Sequence, residues 1–212
     1  MKIGIIGATG KVGNKVLTEA QACGHEVTAI VRNASKLNDQ DVKVIEKDIF
    51  SLTVDDIKDL DVVVNAFGAP LGEEEAHVEA GRALIKLLKE VDTRVIVVGD
   101  AGSLFVDEAH TTRVLETPDF PDMFKPTAKG QGRNLQDLQD SEGITWTFVS
   151  PSAEFDAEGK RTGSYTLGKD ELLVNSQGNS YISYADYAIA IVDEAENAAH
   201  INERFTVVGE QV

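Results

Sequence analysis

The sequence predicts an α/β fold, a single doubly wound parallel sheet with a small C-terminal extension, and three observations carry that expectation. The chain opens with a short apolar run, residues 2–6, that meets a glycine triplet and then a helical pattern. Strand-like and helix-like stretches alternate behind it as β-α-β-β-α-β-α-β, the order of a parallel sheet covered on both faces. Its 212 residues suffice for one full domain of this kind and fall short of two. One domain over residues 1–212 is therefore expected, with the loop 100–124 and the segment 150–183 forming its substrate side.

Residues 2–6 read as a strand buried on both faces. Gly7, Gly10 and Gly13 follow with the spacing G-x-x-G-x-x-G, and Val12, Val16, Leu17 and Ala20 then repeat at helical spacing up to Gly24. A strand, a glycine turn and a helix start make an anion site, because the first helical amides have no partner in the helix and the dipole is positive there. Gly7 permits the tight turn, Gly10 the approach of a pyrophosphate to backbone, and Gly13 close packing of helix on strand. Ala8, Thr9, Lys11 and Val12 are expected to line the same turn. The reading is a Rossmann-type, NAD(P)-binding domain.

The second strand covers residues 26–31 and ends at Arg32. Dinucleotide sites that prefer NAD carry a carboxylate near here for the ribose 2′-hydroxyl. This chain has Arg32 and Lys36, and no carboxylate before Asp39. A guanidinium pairs a 2′-phosphate bidentately and stacks on adenine, so NADPH is the expected cofactor, with NADH as the alternative. Residues 43–46 are the third strand, 55–60 a short helix and 61–66 the fourth strand. Ala66, Phe67 and Gly68 close the crevice at the carboxyl end of that strand, where small residues leave room for ribose and phosphates. A long amphipathic helix covers 73–91, acidic at its start and basic near its end, as its dipole favours. Residues 94–99 form the fifth strand, 129–140 the next helix and 145–149 the sixth strand. Ser183-Tyr-Ala-Asp186 resembles a capping box opening a helix that runs to about Glu196 and buries Ala188, Ile191 and Val192. Residues 204–208 form the last strand.

Composition excludes more than it assigns. A formal charge of −16 and a pI near 4.6 argue against nucleic acid and anionic membrane surfaces as partners. An anionic cofactor must then be held by local positive features. The lone Cys23 excludes an internal disulfide and reads as a packing residue. Four scattered histidines, His25, His77, His110 and His200, lack metal spacing. The first apolar run is too short for a signal core or a membrane span, so cytoplasm is expected, as a monomer or homodimer.

Gly-Ala-Thr-Gly-Lys-Val-Gly13 resembles the fingerprint of atypical and extended short-chain dehydrogenase/reductases, the group with NmrA-like and biliverdin/flavin-reductase-like proteins. Glu158-Gly-Lys-Arg-Thr-Gly-Ser-Tyr165, Leu172-Leu-Val and Asn179-Ser-Tyr-Ile-Ser-Tyr-Ala-Asp-Tyr-Ala188 narrow the resemblance to bacterial NADH-flavin reductases over essentially the whole chain. The resemblance implies that Asp48 and Ile49 touch the adenine, though Asp48 has the chemistry to cap the turn that follows. It also implies a catalytic or substrate-orienting hydroxyl after strand five, where Ser103 is nearest. The turn after strand six, with Pro151 and Ala153, would lie against the nicotinamide.

The acid–base pair of typical short-chain dehydrogenases is missing. Their Tyr-x-x-x-Lys sits on the helix after strand five, where Lys129 would be the lysine. Lys125 stands four residues before it, and no tyrosine precedes Tyr165. Tyr165 and Lys169 match the spacing by chance, in a strand-like region expected to put the two side chains on opposite faces. What remains is hydride transfer to a flavin or quinone, an aromatic small-molecule acceptor that needs no strong protein acid. A flavin would be a substrate rather than a resident group. Phe67, Phe105 and Phe155 are candidate stacking platforms, and His110 the one histidine to test as an acid. The other reading, implied by the NmrA-like resemblance, is a non-catalytic NADP(H) sensor acting through a protein partner. A nucleotide-sugar epimerase would want the Tyr-Lys pair and a larger C-terminal domain.

Overall fold

Runs of β-branched residues supply the strands, and the glycine- and proline-marked turns separate them. A computed structural model describes residues 1–38 and 41–212, so Asp39 lies outside the described residues. The strands are β1 (Lys2–Ile6), β2 (Glu26–Val31), β3 (Lys43–Glu46), β4 (Val62–Asn65), β5 (Arg94–Val98), β6 (Trp146–Ser150), β7 (Glu154–Asp156), β8 (Thr166–Gly168), β9 (Tyr181–Ser183) and β10 (Glu203–Val208). The helices are α1 (Lys11–Ala22), α2 (Val54–Ile57), α3 (Glu74–Leu88), α4 (Lys125–Gln139) and α5 (Tyr184–Asn197). Eight strands form one sheet in the order β3-β2-β1-β4-β5-β6-β10-β8. Its neighbours are parallel except β8, which runs antiparallel to β10 at the edge. β7 and β9 pair separately, also in parallel.

Every residue of β4, β5 and β6 is buried, as a parallel strand covered on both faces requires. Val16 and Leu17 of α1 pack with Tyr187 and Ile191 of α5 on one face. Leu84 and Leu88 of α3 pack with Leu135 and Leu138 of α4 on the other. The Tyr187 hydroxyl donates to the Val149 carbonyl at 2.7 Å and fixes α5 over β6. At the end of the sheet away from the strand C-termini, buried Arg94 pairs with Glu194, which also accepts from the His200 amide at 2.9 Å.

Several expected boundaries shift for local reasons. The helix of residues 55–60 shrinks to the single turn of α2, opened by a capping box between Thr53 and Asp56. α4 begins at Lys125, four residues early, because Pro126 sits in the first turn, where a missing N–H costs nothing. The Ser183 side chain accepts from the Asp186 amide at 3.0 Å, but the reciprocal half of the expected box is absent. The Asp186 carboxylate instead accepts from the amides of Thr162 and Gly163 and from the Thr162 hydroxyl, stapling the segment before β8 to α5. Cys23 is exposed rather than packed. No helix among the described residues is long and apolar enough to cross a membrane.

Candidate functional site

The chain moves outward from β1 to β3 and then crosses back to β4, so a crevice opens between the C-terminal ends of β1 and β4. The glycine turn fills it. Gly7 has φ +78°, and a Cβ there would lie 2.4 Å from the Ala66 carbonyl oxygen. A Cβ on Gly13 would lie 2.2 Å from the Gly7 carbonyl oxygen. Both are fixed by backbone packing. Gly10 differs: a Cβ would meet only the Gly7 oxygen, at 3.2 Å, and otherwise faces outward. Gly10 is the N-cap of α1, and its carbonyl accepts from the Asn14 amide at 2.9 Å. The amides of Lys11 and Val12 therefore stand at an open helix start with no side-chain cap. Thr9 and Lys11 are exposed beside them. Ala8 is 0% exposed, so its methyl belongs to the core and only its backbone lines the turn.

Arg32 is exposed at the end of β2, and among the described residues it makes no hydrogen bond or ion pair. Nearby, Asn33 caps the turn that follows by accepting from the Ser35 amide, and the Glu46 carboxylate accepts from the Ala34 amide at 2.8 Å. Asp48 takes the capping role: its carboxylate accepts from the Ser51 amide at 2.9 Å. Ile49 is 5% exposed and packs in the core. Gly68 faces open space, while the Phe67 ring meets His77 edge-on at 5.7 Å. Beyond β6, Pro151 is buried and Ala153 is exposed, its amide donating to Ser180.

Ser103, the hydroxyl nearest the end of strand five, is buried. It is 4% exposed and held between two charges. Its hydroxyl donates to Asp100 at 3.2 Å and accepts from the Arg204 guanidinium at 2.9 Å. Arg204 also donates to Ser150 at 3.2 Å and to Asp170 at 2.8 Å. The second Asp100 oxygen, Oδ2, is enclosed without a partner. Burial pushes this carboxyl up to about 6, against the opposing pull of Ser103 and Arg204. Asp100 and Arg204 escaped the sequence reading. A guanidinium opening a strand that is otherwise Phe-Thr-Val-Val was the available signal, since a buried charge must find partners.

The other candidate acids and platforms are engaged elsewhere. Tyr165 donates to Asp193 at 2.7 Å, and burial beside that carboxylate raises its hydroxyl far above the ordinary value. Lys169 lies 3.8 Å from Glu203. The expectation of opposite faces was wrong, because four residues along a strand return to the same side. The pair is unmade instead by distance, about 13 Å of strand rise, and by separate partners. His110 pairs with Glu171 at 2.6 Å and stacks on Phe105 at 4.5 Å. Phe155 packs against Tyr184 and Tyr187. Among the described residues, no three His, Cys, Asp or Glu side chains converge as a metal site.

Known proteins share this architecture. The Bacillus subtilis (strain 168) protein YwnB is 65% identical over 211 residues, 99% of each chain. The "putative NADH-flavin reductase" SP1627 from Streptococcus pneumoniae TIGR4 is 44% identical with a TM-score of 0.94, over 99% of this chain and 100% of that one. A "putative epimerase" from Bacteroides thetaiotaomicron is 36% identical with a TM-score of 0.90, over 100% and 98% of the two chains. Residues 7–198, from the first glycine of the turn to the end of α5, match the NAD(P)H-binding family, to which this chain therefore belongs.

Proposed function

We propose that the protein is an NADPH-dependent reductase that delivers hydride to a flavin or quinone without a Tyr-Lys pair. The observation that carries this reading is a helix start left open at Gly10, in a chain with no tyrosine before Tyr165 and none on the helix after β5. The name of SP1627 supports the flavin as acceptor. When bound, the nicotinamide cofactor supplies the hydride. The amides at the start of α1 bind the pyrophosphate, Gly10 leaves it room, and Arg32 pairs with the 2′-phosphate. Ala66, Gly68 and the Pro151 turn flank the ring end, with the loop 100–124 and the segment 150–183 on the substrate side. Asp48 keeps one carboxylate oxygen for the adenine while the other caps its turn. Ser103 acts as a positioning residue that couples Arg204 to Asp100, and water or Asp100 furnishes the proton.

A charge-assisted contact of the Arg32 kind contributes roughly 1.5–3 kcal/mol, or about ten- to a hundredfold in affinity. Wild type should bind NADPH that much more tightly than NADH, and Arg32→Ala should erase the difference. Equal wild-type affinities would remove the argument for NADPH. The activity itself is tested by NADPH oxidation with FMN, FAD, a quinone and no acceptor. The second reading, a dinucleotide sensor, is favoured by the locked Ser103, and it predicts tight binding with no acceptor-dependent oxidation.

A further inference from the structure

We propose that a cavity beside the crevice is an anion-binding subsite, and that the acceptor it selects is a phosphorylated one, such as a flavin mononucleotide, over its uncharged counterpart. The cavity has a volume of about 680 Å³ and lies between α4 and the strap 103–116, outside the dinucleotide crevice. That volume suits a molecule of mononucleotide size. Ser103 and Arg204 form its inner wall, the same pair that couples to Asp100 at the end of β5.

The cavity is preformed. The Phe105 amide donates to the Asp170 carbonyl at 2.8 Å, and the Leu172 amide to the Phe105 carbonyl at 2.9 Å. The Val114 amide closes back on the Leu104 carbonyl at 2.8 Å, so the strap is tied at both ends.

Its charge runs against that of the whole molecule. The chain carries 36 acidic and 20 basic residues, yet Arg113, Lys129, Arg133 and Arg204 line this cavity against Glu74 and Asp170. Arg133 pairs with Glu74 and Glu75, and Arg204 with Asp170. The Arg113 and Lys129 side chains make no ion pair among the described residues, although the Glu116 carboxylate accepts from the Arg113 amide at 2.7 Å. Arg113 instead sits over the Phe105 ring, 5.4 Å from its centroid. Leu115 and Leu135 give the remaining wall an apolar surface. Two cations without an ion pair on the lining of one part-apolar cavity, in a protein whose net field repels anions, are the chemistry of a ligand with a flat body and an anionic tail.

The flavin identity rests on the reductase reading; anion selection does not, so binding is measured apart from turnover. Flavin fluorescence is titrated with the full-length protein, with and without saturating NADP⁺ to fill the crevice. FMN and riboflavin differ only in the phosphate. FMN is expected to bind at least about tenfold more tightly, with or without NADP⁺. In Arg113→Glu/Lys129→Glu, FMN should fall to the riboflavin level while riboflavin and NADPH affinities stay unchanged. Both side chains are exposed, so the variant should fold. Equal binding of the two flavins, binding of neither, loss of FMN binding on adding NADP⁺, or an unchanged FMN affinity in the variant would each overturn the proposal. Failure of acceptor-dependent NADPH oxidation, with FMN selectivity intact, would overturn the reductase reading alone.

Discussion

Gly10→Val is expected to lose NADPH binding by more than a hundredfold and keep its fold, whereas Gly13→Val is expected to unfold. The two glycines sit three residues apart in one turn and differ in what a side chain would meet. At Gly10 the added carbon approaches only the Gly7 oxygen, at 3.2 Å, a contact that a shift of a few tenths of an ångström relieves. The rest of the valine then projects over the first amides of α1, where the pyrophosphate must come. Losing two or three charge-assisted bonds of roughly 1.5–3 kcal/mol each accounts for the predicted drop. At Gly13 the added carbon would lie 2.2 Å from the Gly7 oxygen and 2.8 Å from its carbonyl carbon, both backbone. Relief there means lifting α1 off β1, and with it Val16 and Leu17 out of the core, a loss of about 4 kcal/mol or more. Thermal unfolding and NADPH titration of the two variants separate these outcomes. A Gly10→Val protein that binds normally would make the turn purely structural.

The Asp100→Asn variant should change how stability depends on pH. The native carboxyl titrates near 6, pushed up chiefly by burial, against 3.8 for an unperturbed aspartate. Between those values the folded protein holds a proton that the unfolded chain releases. Stability therefore falls as pH rises through this window, and the full cost is in place above about pH 7. An asparagine carries no charge and has no such slope. Between pH 8 and pH 4.5 the wild type should gain on the variant by about 2 kcal/mol, the greater part of what a carboxyl raised from 3.8 to about 6 contributes. The variant should accordingly look best, relative to wild type, at alkaline pH. Parallel denaturant titrations at the two pH values measure the difference directly. A constant difference would mean that Asp100 is ionised throughout this range.

The fold was legible because parallel strands buried on both faces read as apolar runs, and those runs stood in order with helices between them. β1, β2 and β3 were located to the residue, and α1 by the spacing of Val16, Leu17 and Ala20. The start of α4 was not legible, because Pro126 reads as a breaker unless it is already known to lie in a first turn. The glycine turn was legible because a backbone constraint leaves a residue-type signature; Gly7 and Gly13 show the contacts that require it. The network of Asp100, Ser103 and Arg204 was not, since 101 residues separate Ser103 from Arg204 and only the closing of β10 beside β6 brings them together. The same holds for the cavity, whose walls come from α4, the strap after β5 and β10. Asp48 shows the limit of a motif: the residue stands where expected, yet part of its carboxylate is spent on the Ser51 amide.

The central claim is that this NAD(P)H-binding chain transfers hydride rather than only sensing the dinucleotide. Single-turnover mixing of the protein with FMN and NADPH deuterated at its transferable position tests that most directly. Flavin reduction and label leaving the nicotinamide should proceed together, faster than in the same mixture without protein and slowed by the isotope. NADPH bound tightly, with its label retained and the flavin still oxidised, would contradict it.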